Sequence, residues 1–329
     1  MSTALQHEPG VTVEIPSARR RHFVWRVIRE SPAAAIGTVI LLVIVLMAIF
    51  APLLARYGVT QQVGKTFCRP SGAHWLGCDD GGVDIVTLLM FGSRISLIVG
   101  FAASLVAIGI GGVVGVSAGY FGGRADGVLM RVADYFLAIP DVPLMIVIAA
   151  IWGPSLFHII IVIGILLWAS TARVIRAQVK SVRERVYVRR ARSLGAGHAR
   201  IVFRHVVPQI MPLLVANTVL TIAVAIFDET ALSFLGLGDP SKISLGKVIE
   251  NAFKAAAISN DAWWAIVPAG VLVTIMIMAC SMMGQAIEDA LNPRLKVAHL
   301  SPRRFRYVAL QRAIGVRDGK RIRAKRAEA

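Results

Sequence analysis

Four groups of residues in this sequence have types and spacings that suit chemistry or recognition. Cys68, His74 and Cys78 share one short polar stretch. In an oxidising compartment the two cysteines can pair and close a short loop, stabilising it by on the order of 3 kcal/mol; otherwise they stay two free thiols. No further ligand is spaced beside His74, so His74 and Trp75 read as loop structure and no metal is expected. Gly64-Lys65-Thr66 resembles the end of a phosphate loop, but Val59 stands where that pattern needs its first glycine. No zinc-spaced set and no nucleophile motif occurs elsewhere, so no catalytic residue and no unaided nucleotide hydrolysis are expected.

Two further groups are charges set in or beside apolar runs. Arg131, Asp134 and Asp141 interrupt one run, and Asp228 and Glu229 end another. Ionisable groups at membrane depth default to a functional reading. Arg131 and Asp134 are spaced i, i+3 and can neutralise one another; a packed salt bridge toward a neighbouring subunit is the favoured alternative. Pro140 and Pro143 break the local backbone ladder, which is tolerated beside a cavity or another helix. Phe136 to Pro143 is therefore a candidate pathway segment, with Phe136, Pro140 and Asp141 its named members. Asp228 and Glu229 either meet the cationic end of an arriving solute or are hydrogen-bonded at a helix end.

The last group is the basic stretch "VRRARSLGAGHARIVFRHVVP", Val188 to Pro208. Tyr187, Ala191 and Leu194 fall on one apolar helical face, and Ala199, Val202, Phe203 and Val206 on another beyond Gly195. The pattern predicts two short amphipathic helices joined at a glycine bend, with Pro208 opening the next apolar helix. Neither helix is long enough to be stable alone. Each must lie on anionic headgroups or pack against a partner protein, and the bend favours the partner.

The elements that hold these groups are membrane spans. The chain has 329 residues, 56% hydrophobic and only 17% charged, against roughly 25% charged in soluble domains. Its net charge of +17 would suggest nucleic acid in a soluble protein; in a membrane protein the placement of charge matters more, and no nucleic acid is expected. Six apolar runs are long enough to cross a bilayer: 33–55, 95–118, 128–151, 156–172, 210–227 and 264–286. The first is too long and starts too late for a cleavable signal, so it reads as an uncleaved span. Cys280 lies in the sixth as a small buried hydrophobe.

Lys and Arg number five before the first span, ten from Arg173 to Arg204, and twelve from Arg294 onward, and Arg124 lies between the second and third spans. The alternate segments carry few: Arg56, Lys65, Arg69 and Arg94; none; then Lys242, Lys247 and Lys254. The positive-inside rule predicts both termini and the Val188–Pro208 stretch on the cytoplasmic side. Gly236 to Ala262, with Lys242, Lys247, Glu250 and Lys254, is then extracytoplasmic, flanked by Trp263 and Trp264 at the interface.

The spacing of Ala191, Gly195 and Pro208 resembles the cytoplasmic EAA loop of permease subunits of ATP-binding-cassette importers. Arg189 and Arg190 stand where that loop has Glu-Ala, so any pairing made by the glutamate does not transfer. "HWLGCDDGGVDIVTLLMFGSRISLIVG", "GYFGGRADGVLMRVADYFLAIPDVPLM", "ETALSFLGLG", "WWAIVPAG" and "GQAIEDALNPRL" are similar, in order and spacing, to blocks of the dipeptide/oligopeptide/nickel group. Cys78 and Val83 depart from its usual threonine and arginine.

The resemblance implies an all-α integral membrane protein of six helices with a type I importer transmembrane domain. The implied organisation is a cytoplasmic segment 1–32, a first span 33–55, an extracytoplasmic loop 56–94, the transmembrane domain 95–289 with a coupling loop 180–208, and a basic tail 290–329. Arg189, Arg190, Ala191, Leu194, Gly195, Arg200, Arg204 and Pro208 are the implied ATPase-coupling residues. It further implies a second permease subunit, two cytosolic ATPase subunits or domains that hold the ATP and Mg, an extracytoplasmic substrate-binding protein, surrounding lipid, and a prokaryotic cell membrane. Nickel chelate, glutathione or haem are alternative cargoes within the class. A six-span channel or anchoring subunit is the alternative outside it, and no carbonyl-filter sequence supports a channel.

Overall fold

A computed structural model of the chain describes residues 31–291. The basic residues expected to hold both termini on one side, at 19–29 and from 294 onward, lie outside the described residues, as does most of the expected tail 290–329. Among the described residues the regular structure is helical, apart from one isolated bridge between Cys78 and Asp84.

Helix α1 (Pro32–Ile49) starts where Ser31 accepts a hydrogen bond from the Ala34 amide and Pro32 fills the first turn. It breaks at Phe50, and a short α2 (Ala51–Leu54) follows. A polar loop leads to α3 (Ile85–Phe121), 37 residues long. The helix begins at Ile85, ten residues before the apolar run that starts at Ile95. Gly92, Ser93 and Arg94 dilute the hydropathy there, but the helix start is set by a cap: Asp84 accepts from the Thr87 amide at 3.0 Å.

The expected single run 128–151 is two helices, α4 (Gly123–Ala138) and α5 (Asp141–Trp152), bent by 85°. Ile139 and Pro140 are both extended, as the residue before a proline prefers. α6 (Leu156–Arg183), α7 (Val186–Ser193) and α8 (His198–Ile201) follow. A π turn (Val202–Val206) then joins α9 (Val207–Phe234). An amphipathic helix α10 (Leu245–Lys254) and the long α11 (Val267–Leu291) complete the order. Among the described residues five helical rods are long and apolar enough to cross a membrane, and the bent α4–α5 pair makes a sixth if it is one span.

α3 and α6 form the centre of the bundle. Gly111, Gly115 and Gly119 place one bare backbone stripe of α3 against α6. A Cβ at those positions would come within 2.6 Å of the Trp168 carbonyl, 2.6 Å of the Ala172 carbonyl and 2.8 Å of the Val179 Cβ. Small residues at every fourth position let two membrane helices pack backbone to backbone. Val99, Ala103 and Ala107 continue the contact onto Ile159 and Ile163. α1 is apolar all round and buries only its Ala34, Gly37, Ile44 and Ala48 edge, with Gly37 pressed on the Ala279 carbonyl of α11.

Candidate functional site

The basic stretch is built outward from the end of α6. Ile175, Val179 and Val182 of α6 form an apolar crease with Ile201, Val206 and Ile210, and Val188 of α7 fills it, 1% exposed. The expected face of Tyr187, Ala191 and Leu194 is not the one that packs: Leu194 is 87% exposed and Tyr187 is 37% exposed. The chain turns at Glu184 and Arg185 before α7 begins, so the axis is reset and Val188 meets α6 instead.

α7 ends by a glycine closure. The Gly195 amide donates to the Arg192 carbonyl at 3.0 Å and the Ala196 amide to the Ala191 carbonyl at 3.1 Å, with Gly195 at φ +80. This is a Schellman motif, which satisfies the last carbonyls of the helix and needs a left-handed residue at its bend. A Cβ on Gly195 would meet nothing within 4 Å, so conformation rather than space demands glycine there.

Beyond the bend the expected second helix forms, but it is not separate from the fifth span. α8, the π turn and α9 make one continuous rod from His198 to Phe234, with Pro208 inside its path rather than at its tip. The π turn adds a residue to the repeat. It shifts the buried face to Ile201, Val206 and Ile210, leaving Phe203 74% exposed where packing had been expected.

Tyr120, the penultimate residue of α3, ties these pieces together. Its hydroxyl lies 2.9 Å from His198 Nδ1, its carbonyl accepts from Arg183 Nη1 at 3.1 Å, and Arg192 sits over its ring at 5.7 Å. Glu184 accepts from Arg189 at 2.7 Å and from Arg183 at 3.1 Å. The Arg189 hydrogen bond, then that of Arg183, holds its carboxyl below the usual carboxylate range. Arg190, Arg200 and Arg204 are exposed and form no ion pair among the described residues. Leu194, Phe203 and these arginines are thus left exposed above a buried apolar root.

The second set of charges lies in the bundle. Asp134 pairs with Arg173 of α6 at 2.7 Å and not with Arg131, the i, i+3 partner its spacing allows, because α4 packs along α6 and brings Arg173 into reach. Asp126, at the start of α4, is held by both Arg176 and Lys180 of the same helix α6. Nothing in the sequence beyond opposite charges on two helices signals either pair. Phe136 packs edge-on against Trp168, with ring centroids 5.4 Å apart, and Asp141 opens α5 just past the bend.

α9 does not stop at Phe227 but runs on to Phe234, and Asp228 and Glu229 are buried within it. They face different ways. Both Glu229 oxygens are occupied, one by Ser96 of α3 and one by Ser233, each at 2.7 Å. Asp228 Oδ2 is buried with no hydrogen-bond partner among the described residues. Pro140 and Asp141 belong to the α4–α5 bend, and Glu229 belongs to the α3–α9 packing.

Cys68 and Cys78 are joined by a disulfide across the loop between α2 and α3. His74 Nδ1 lies 3.2 Å from Asp84, tying the loop to the α3 cap. Cys68, His74 and Cys78 come close enough together to hold a metal ion, but the disulfide uses both sulfurs. α10 is an element the sequence reading missed. Ser244 caps it, and Leu245, Val248 and Ala252 give it a buried face. Lys247 and Lys254 both bind buried Glu250.

Comparison with known proteins narrows the class. A profile described as "Binding-protein-dependent transport system inner membrane component" matches residues 111–297, and "N-terminal TM domain of oligopeptide transport permease C" matches residues 22–67. The chain is 36% identical over 270 residues to the oligopeptide transport system permease protein OppC of Bacillus subtilis, covering 82% of this chain and 88% of that one. It is 32% identical to the dipeptide transport system permease protein DppC of the same species, over 87% and 89% of the two chains. Identity to the di/tripeptide transport system permease protein DppC of Pseudomonas aeruginosa is 33%, over 83% and 92%.

Proposed function

The chain belongs to the binding-protein-dependent transport system inner membrane components, and on that premise we propose that it forms half of the pathway by which an ATP-binding-cassette importer takes up short peptides. The single observation that carries the peptide reading is the run of dipeptide and oligopeptide permeases that match it over more than four fifths of its length. It is a multi-pass membrane protein; its bacterial relatives support a prokaryotic cell membrane, and charge placement supports the arginine-rich end in the cytosol.

In this reading the α7–α8 element meets the ATPase partners. Leu194 and Phe203 supply apolar contact, and Arg190, Arg200 and Arg204 supply charge for an acidic rim. Arg189 is committed to Glu184 within the chain, so it stiffens α7 instead of reaching out. Because α8 continues into α9 without a break, a push on the element is transmitted as rigid-body movement of the fifth span. Tyr120 passes the same movement to α3. ATP and Mg belong to the partner subunits, and a second permease subunit and an extracytoplasmic binding protein complete the importer. Phe136, Pro140, Asp141 and Asp228 line the route, where a carboxylate suits the ammonium end of a peptide. The domain organisation remains the proposed one: a first span, an extracytoplasmic loop, a five-helix transmembrane domain and cytoplasmic tails.

The test is uptake of a radiolabelled tripeptide by proteoliposomes holding the assembled complex. Uptake that needs both ATP and the binding protein supports the proposal, and a permease that conducts ions alone contradicts it.

A further inference from the structure

We propose that the groove between α1 and α3 binds an anionic phospholipid, its phosphate on Arg94 and an acyl chain along the apolar wall below. The groove encloses about 660 Å³ and is lined by α1, α3, α9 and α11. Arg94 is its one charged lining residue, is exposed, and takes part in none of the ion pairs among the described residues. Thr38, also on the wall, gives its hydroxyl to the Ala34 carbonyl at 2.7 Å. The groove therefore offers a partner one cation and otherwise hydrocarbon.

Depth fits a lipid. Leu54 to Tyr57, just past α1, share a second cavity with Asp84 and Thr87 at the start of α3, so the loop ends of the two helices lie side by side. Arg94 is nine residues into α3 by number, about 13 Å along it. α3 is longer than the hydrocarbon core, so its first turns stand outside it. That puts the guanidinium at headgroup level, where a long cationic side chain reaches a phosphate. Leu97, Ile98 and Phe101 follow below it, opposite Leu42 and Val45 of α1.

Position decides between lipid and protein as occupant. α1 buries one edge on α11 and leaves Val39, Leu42, Val43, Leu46 and Ile49 exposed, so the groove mouth opens beside a helix suited on every other side to hydrocarbon. A helix from another subunit seated there would need a carboxylate to answer Arg94.

The experiment uses the assembled complex in nanodiscs of phosphatidylglycerol or phosphatidylcholine, followed by mild detergent extraction and native mass spectrometry. Phosphatidylglycerol should be retained over phosphatidylcholine, and Arg94→Gln should lower its retention about tenfold, the loss of one charge-assisted pair. Ile98→Trp, which fills the groove and keeps the cation, should expel it as well. Retention unchanged in both variants overturns the proposal. So does loss of the neighbouring permease subunit from the Arg94→Gln complex, which would assign the cation to a protein carboxylate.

Discussion

At the scale of single residues, Gly195 carries the most specific demand. Its φ of +80 is left-handed, which costs an ordinary L-residue roughly 1–2 kcal/mol and a β-branched one more. Gly195→Val should leave the complex assembled, because the position has open space around it. The α7–α8 bend would re-form elsewhere, and peptide moved per ATP hydrolysed should fall severalfold. An unchanged ratio in a coupled ATPase and uptake assay would remove the bend from the mechanism. The bend itself is legible in the sequence as a glycine between two apolar repeats. The packing face is not: Val188 was hidden because nothing local reports the turn at Glu184–Arg185. Asp134 likewise looked like the partner of Arg131 by spacing, and it took the course of α4 beside α6 to supply Arg173.

Among elements, the α3–α6 seam and helix α10 make opposite kinds of demand. Gly115→Val would drive a side chain into the Ala172 carbonyl, 2.6 Å from the new Cβ, whereas Gly112→Val meets nothing within 4 Å. The first variant should abolish detergent-stable protein and the second, with the same change in propensity, should not; equal yields would refute the seam. Fourfold glycine spacing made this legible in principle. For α10 the signal is also present, since Ser244 and the Leu245, Val248, Ala252 repeat mark a capped amphipathic helix.

Glu250 of α10 gives a pH prediction. Burial pushes its carboxyl up, but the Lys247 and Lys254 ammonium groups outweigh burial and hold it lowered. A lowered folded value means stabilisation that is complete above the ordinary carboxylate range and lost as pH falls through that lowered value. Glu250→Gln should cost about 1–2 kcal/mol at neutral pH, read as a lower melting midpoint of the complex. The difference should close in acid, and a constant difference from pH 7 to about pH 3 would contradict the assignment.

For the whole molecule, six runs in the sequence correspond to five long helical rods and one bent pair, so composition and hydropathy were enough for the class. They were not enough for the boundaries. Asp84 begins α3 well before the hydropathy rises, and the π turn fuses the basic element to the fifth span. That fusion is the physical basis of the proposed transport cycle: an ATPase moving α7 and α8 moves α9 with them. The most direct measurement is tripeptide uptake and ATP hydrolysis by the same proteoliposomes, with wild type and with Leu194→Asp combined with Phe203→Asp. The account predicts ATP- and binding-protein-dependent uptake in the wild type, and at least about a tenfold loss in the double variant as its apolar contact with the ATPase is removed. Equal uptake by both, or peptide flux without ATP, would contradict it.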